Sequence, residues 1–185
     1  MNGAEILTTV AQLGAAVTGF SGIAIAFNRH PGRLGDFEAF RVSILFANSL
    51  AAVFLALIPF PFFYLGWSES TIWRTASGLT AVFEFVFLGT HFPPARRFAR
   101  THRQSFNFKL LTFVTVSHLA NALAQMINAL GFIDAKLAAF VFGLLWILFH
   151  SAFQFGRILF VQPETGGAMS TPLRTSDDDK TGDGL

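Results

Sequence analysis

The sequence predicts an all-α, polytopic integral membrane protein with five transmembrane helices, its N-terminus outside and its C-terminus cytoplasmic. Two patterns predict this class: long apolar runs without charged residues, and basic residues that alternate between successive loops. Of the 185 residues, 52% are hydrophobic and only 13% are charged, which excludes disorder for most of the chain. The chain has no Cys, which excludes disulfides, thiolate metal ligands and Cys nucleophiles.

The number of spans follows from the apolar runs. A helix needs about 20 apolar residues to cross a hydrocarbon core, and four runs of that length lack Asp, Glu, Lys and Arg. A fifth run is interrupted only by Glu84, whose carboxylate costs about 2.5 to 3.5 kcal/mol at a helix centre. The apolar residues between Val82 and Leu88 offset this cost, so we count the run as a span. The predicted spans are residues 6–27, 42–67, 75–95, 110–133 and 137–161.

The orientation follows from Lys and Arg, because cytoplasmic loops hold most of the basic residues. All but two of the 13 Lys and Arg lie in or beside the first and third loops or on the C-terminal side of the last span. The exceptions are Arg74 and Lys136. If the basic segments are inside, the N-terminus is outside, and only an odd number of spans keeps the alternation. We expect the membrane to be a bacterial inner membrane.

The chain divides into one transmembrane domain, residues 1–161, and a tail, residues 162–185. The tail is rich in Pro, Gly and Asp, which predicts a disordered cytoplasmic segment. The third loop interleaves Arg and Phe after Pro93 and Pro94, which is typical of a juxtamembrane helix lying on anionic lipid. The residues predicted to contact lipid headgroups are Arg96, Arg97, Arg100 and Arg103.

The first span carries small residues at intervals of four, Gly14, Thr18 and Gly22. Such a face lets helices approach closely, either within the bundle or against a second copy of the chain. The expected partners are therefore the lipid bilayer and either further copies or a larger membrane complex. The basic residues are explained by membrane orientation, so no nucleic-acid partner is expected.

Polar side chains inside the spans are the functional candidates, because a buried ionisable group is costly unless it is paired. The fourth span has four polar residues that lie within about 80° of arc at 100° per residue. Three histidines on three different spans fall in one layer of the cytoplasmic half. The predicted intramembrane polar cluster is Glu84, His91, His118, Asn121, Gln125, Asn128, His150, Gln154 and Arg157.

Three interpretations of this cluster remain open. Its amides and histidines can bond helices together, as in a non-catalytic accessory subunit of a larger membrane complex. They can form a proton, ion or small-solute pathway in a channel or transporter-like protein. Finally, His91, His118 and His150 can bind haem or a metal in a membrane redox protein. No catalytic residue is predicted, because the spans contain no Asp and no G-x-S-x-G motif.

Overall fold

The computed structural model describes residues 3–27, 36–101 and 108–160. These ranges contain helices and no β-strand, which confirms the all-α class for them. Arg103 and the predicted tail lie outside the described residues. The helices are α1 (Gly3–Phe27), α2 (Asp36–Leu57), α3 (Pro59–Tyr64), α4 (Glu69–Thr101), α5 (Phe108–Leu130) and α6 (Lys136–Phe160).

The short helix α3 continues α2, so the described residues form five long rods. The break falls at Ile58, because Pro59 has no N–H to donate to the carbonyl of Leu55. Together α2 and α3 make a helical stretch of 29 residues. The chain then turns at Gly66, whose φ of 75° is readily adopted only by glycine. This irregular helix end agrees with the Pro-rich sequence that follows α2.

Four of the five rods are long and apolar enough to cross a membrane: α1, α2 with α3, α5 and α6. Such helices indicate a membrane protein. The fifth rod, α4, is the longest at 33 residues, but it does not meet the same hydropathy criterion. The reason is its content of polar side chains, including Glu84, His91 and several hydroxyls. The predicted span 75–95 is helical throughout. Whether it lies in the membrane depends on how its polar side chains are buried.

Helix α4 extends beyond the predicted span at both ends. Pro93 and Pro94 lie inside it, although each removes a helical hydrogen bond to a carbonyl four residues earlier. The basic segment predicted as a juxtamembrane helix is therefore the last part of α4 and not a separate element. Its side chains Arg96, Arg97 and Arg100 are exposed.

The exterior of the bundle is apolar and much of its interior is polar. Phe20 and Phe54 are each 64% exposed, whereas Glu84 and Asn128 have no exposed surface. A soluble bundle shows the reverse arrangement. An apolar core lies between α1, α2, α6 and the first turns of α4, whereas the polar cluster lies where α5 packs against α4 and α6. The large side chains of the apolar core include Leu7, Leu55, Ile72, Trp73, Phe140, Leu144 and Ile147.

Helix α6 occupies the centre, since it packs against each of the other four rods. It is joined to α2 by a hydrogen bond from Ser151 Oγ to the carbonyl of Leu45, at 3.0 Å. The α1 rod packs on both α2 and α6. It approaches α2 closely at Gly14, where an added Cβ would lie 3.0 Å from the carbonyl oxygen of Ser49. Thus Gly14 of the predicted small-residue face is used for packing within the chain.

Replacing Gly14 by Ala should destabilise the bundle, because the new methyl group meets backbone that cannot move freely. Overpacking of this kind costs about 1 to 3 kcal/mol. Gly19→Ala is the matched control, since the same methyl there has no neighbour within 4 Å and Ala is the better helix former. Thermal unfolding in detergent should show a lower Tm for Gly14→Ala alone. Equal Tm values for the two variants would contradict this packing.

Candidate functional site

The centre of the candidate site is Glu84, near the middle of α4. Its Oε2 lies 2.6 Å from His118 Nδ1, and its Oε1 accepts a hydrogen bond from Asn121 Nδ2, also at 2.6 Å. Glu84 is 0% exposed and His118 is 1% exposed. Both carboxyl oxygens are therefore bound by protein groups, which offsets part of the penalty for burying them. One proton shared between Glu84 and His118 satisfies their contact, whichever of the two carries it.

The spacing on α5 explains why one carboxyl group reaches two partners. His118 and Asn121 are three residues apart, so both side chains project from the same side of the helix. That side faces α4, the helix against which α5 packs most extensively. The polar stripe predicted on the fourth span is thus the surface by which α5 contacts its neighbours.

The same stripe continues away from Glu84 and binds the first turns of α6. Gln125 Nε2 donates to the carbonyl of Ala139 at 2.8 Å, and Asn128 Nδ2 lies 2.9 Å from the carbonyl of Lys136. Asn128 Nδ2 also lies 2.7 Å from the hydroxyl of Ser77 on α4. These amides therefore connect three helices, α4, α5 and α6.

Gly143 makes room for these amides on α6. A Cβ at this position would overlap the side-chain amide of Gln125 and lie 3.1 Å from Asn121 Oδ1. Asn121 Nδ2 is also 3.3 Å from the Gly143 carbonyl oxygen. A residue without a side chain is therefore required where the polar stripe of α5 crosses the central helix.

Three amide oxygens of the stripe are buried without a hydrogen-bond donor among the described residues: Asn121 Oδ1, Gln125 Oε1 and Asn128 Oδ1. An unsatisfied buried polar group costs about 1 to 3 kcal/mol. Groups of this kind in proteins commonly bind internal water. The oxygens recur about once per turn of α5, so they form a row of acceptors that leads from Glu84 towards the far end of the bundle.

The three histidines lie in one stack of rings, but a phenylalanine separates two of them. The ring centroids of His118 and His150 are 4.4 Å apart. On the other side of His118 lies Phe87, at 4.8 Å, and Phe87 in turn stacks on His91 at 4.3 Å. His91 therefore belongs to the same layer without touching the Glu84–His118 pair.

Most ring nitrogens of His118 and His150 are already bonded within the protein. His150 Nε2 is 3.0 Å from Ser117 Oγ, its Nδ1 is 3.0 Å from the Trp146 carbonyl, and His118 Nδ1 is bound to Glu84. Across residues 3–27, 36–101 and 108–160, no three His, Asp or Glu side chains are grouped to hold a metal ion. These hydrogen bonds therefore do not favour the haem or metal interpretation of the three histidines.

A cavity of about 80 Å³ adjoins the histidine layer, where the start of α2 and α5 meets the end of α4 and α6. Four residues of the predicted cluster line it: His91, His118, Gln154 and Arg157. His118 Nε2 and Gln154 Oε1 are buried there without a partner in the described part of the chain. The bonded pair and the cavity thus meet at the imidazole of His118.

Sequence reasoning missed two residues of this region. Arg41 lines the cavity together with Arg157, but its position beside the first loop in the sequence indicated only membrane orientation. The predicted topology could have indicated that Arg41 lies near Arg157, because the second span begins at the membrane surface where the fifth span ends. Phe87 gave no polar signal, although it lies one turn before His91 on the same side of α4.

No family model, curated protein or solved structure matches the chain. The assignment of function therefore depends on the geometry of the chain itself, above all on the buried Glu84–His118 pair and the cavity beside it.

Replacing Glu84 by Ala should destabilise the protein strongly, because it leaves His118 and Asn121 buried without their common acceptor. Removing one member of a buried pair costs about 3 to 5 kcal/mol. The control is Glu69→Ala, which removes an exposed carboxylate from the first turn of the same helix. Thermal unfolding in detergent should show a large fall in Tm for Glu84→Ala only. Similar Tm values for the two variants would mean that Glu84 is not held as described.

Proposed function

We propose that the chain crosses a bacterial inner membrane five times, with its N-terminus outside and its C-terminus cytoplasmic. The arrangement of the rod ends supports this proposal. Gly3 shares a surface depression with Tyr64 and Lys136 at one end of the bundle, whereas Arg157 lines the cavity at the other end. With five crossings of the membrane, Gly3, Tyr64 and Lys136 lie on one side and Arg157 lies on the other. The exposed arginines near the end of α4 then lie at the cytoplasmic headgroups, where each contributes about 1 kcal/mol of attraction to anionic lipid.

We further propose that the protein is a small transporter or channel that moves protons along the polar face shared by α4, α5 and α6. One observation carries this proposal: a fully buried carboxyl group, Glu84, is bonded to His118, which lines a cavity and whose other ring nitrogen has no partner among the described residues. Carboxyl and imidazole groups exchange protons readily, and intramembrane chains of them are typical of proton relays.

The remainder of the pathway follows α5 towards the opposite end. The unpartnered oxygens of Asn121, Gln125 and Asn128 are acceptors that can order water between Glu84 and that end. The amide nitrogens of the same side chains are bonded to neighbouring helices. This close packing favours a proton over a hydrated metal ion, because a proton crosses a chain of hydrogen bonds without a wide pore.

Proton flux tests the proposal directly. Full-length protein is reconstituted into liposomes that contain a pH-sensitive dye, and a potassium gradient with valinomycin drives proton entry. The wild-type chain should acidify the lumen several times faster than protein-free liposomes. Glu84→Gln should reduce the rate to that of protein-free liposomes, because the amide keeps the shape of the carboxyl group but does not exchange a proton at neutral pH.

Glu69→Gln is the matched control and should retain the wild-type rate, because Glu69 is exposed at the start of α4. Correct folding of Glu84→Gln is verified by its Tm and by its elution as a single species. Two outcomes would contradict the proposal: a wild-type rate equal to that of protein-free liposomes, or an undiminished rate in folded Glu84→Gln.

The alternative is a non-catalytic accessory subunit, which an inactive wild-type chain would favour. One observation supports it. On the outer face of α1, Gly19 and Gly22 have open space beside them, and Phe20 and Ile23 are largely exposed. A small-residue face of this kind accepts a helix of a partner or of a second copy.

A further inference from the structure

We propose that the cavity between α2, α4, α5 and α6 binds the phosphate of an anionic phospholipid between Arg41 and Arg157. This inference goes beyond proton movement and does not depend on it. The two arginines come from different helices and both line the cavity. Two guanidinium groups held together in this way favour an anion between them.

The charge of these arginines is not neutralised within the described ranges. The one ion pair there joins His118 to Glu84, so neither guanidinium lies within ion-pair distance of a described carboxylate. Glu38 interacts with Arg41 electrostatically but is not paired with it. Moreover, Arg41 Nε and Nη2 are buried and have no hydrogen-bond partner in the described part of the chain. Buried guanidinium donors of this kind require an acceptor, and the oxygens of a phosphate supply several.

Two other residues that line the cavity carry a buried polar atom. His118 Nε2 and Gln154 Oε1 both lack a partner among the described residues, and their side chains are 1% and 8% exposed. The cavity therefore combines cationic donors with further groups that can bond to the polar part of a headgroup. A carbonyl oxygen such as that of Gln154 suits the hydroxyl group of a glycerol headgroup.

The size and surroundings of the cavity favour a lipid as the source of the phosphate. Its volume of about 80 Å³ exceeds the roughly 10 to 15 Å³ that holds one water molecule by the same measure, so the cavity has room for a phosphate group. Its walls are largely apolar, with Phe40, Phe87 and Phe92 among them. Phe92 also borders the exposed groove that contains Arg96 and Arg100, so the cavity lies next to the basic surface proposed to lie at the headgroups. The acyl chains would then remain in the bilayer along the apolar exterior.

Native mass spectrometry of the full-length protein in detergent tests the proposal, with phosphatidylglycerol and phosphatidylcholine titrated as separate probes. Phosphatidylglycerol should bind with defined stoichiometry and more tightly than phosphatidylcholine. The double variant Arg41→Gln/Arg157→Gln should weaken its binding about tenfold or more, because charge-assisted hydrogen bonds are lost. The matched control, Lys109→Gln/Lys136→Gln, removes the same charge from two side chains that line neither the cavity nor the basic groove beside it and should have a much smaller effect.

Thermal unfolding separates lost binding from lost folding. Phosphatidylglycerol should raise the Tm of the wild-type protein and of the lysine control, but not that of the folded cavity variant. Three results would overturn the proposal: equal weakening in both double variants, equal affinity for the two lipids, or displacement of the lipid by millimolar inorganic phosphate. The last would identify the ligand as a soluble anion. Because lipid binding is measured without a proton gradient, failure of proton flux leaves this test unaffected.

Discussion

The burial of Glu84 is the constraint on which the polar half of the bundle depends. A carboxyl group without exposed surface in an apolar bundle is tolerated only if its oxygens are bound. His118 and Asn121 bind them from α5, which fixes the rotation of α5 against α4. That rotation directs the rest of the α5 stripe towards α6, and Gly143 leaves the space that the stripe needs. The packing of three helices therefore follows from one acidic residue.

Much of this arrangement could be predicted from periodicity. The one-sided spacing on α5 predicted a polar face, and the structure buries all four of its residues, His118, Asn121, Gln125 and Asn128. The common layer of the three histidines also followed from spacing and the assumed orientation. Spacing could not reveal that Phe87 separates His91 from His118, because an apolar side chain between two polar ones leaves no trace in a hydrophobicity pattern.

Other features depend on contacts between distant parts of the chain. Arg41 and Arg157 are far apart in sequence and become neighbours only because α2 begins where α6 ends. The continuation of α4 through Pro93 and Pro94 was likewise not evident, since two prolines usually indicate the end of a helix.

The bundle combines an apolar half for stability with a polar half that contains the cavity. His118 borders both the proposed proton pathway and the proposed lipid site, whereas the arginines belong only to the latter.

The most direct test is whether α4 lies in the membrane with Glu84 turned inwards. Because the chain has no Cys, single spin labels can be attached at Val82 and Val86, which are 59% and 58% exposed on α4. In lipid nanodiscs, both labels should collide more often with oxygen, which is soluble in lipid, than with a water-soluble nickel chelate. A label at Tyr64, at the proposed outer surface, should show the reverse. Equal access of the nickel chelate to all three labels would contradict a membrane-spanning α4 and, with it, the proposed five-span bundle.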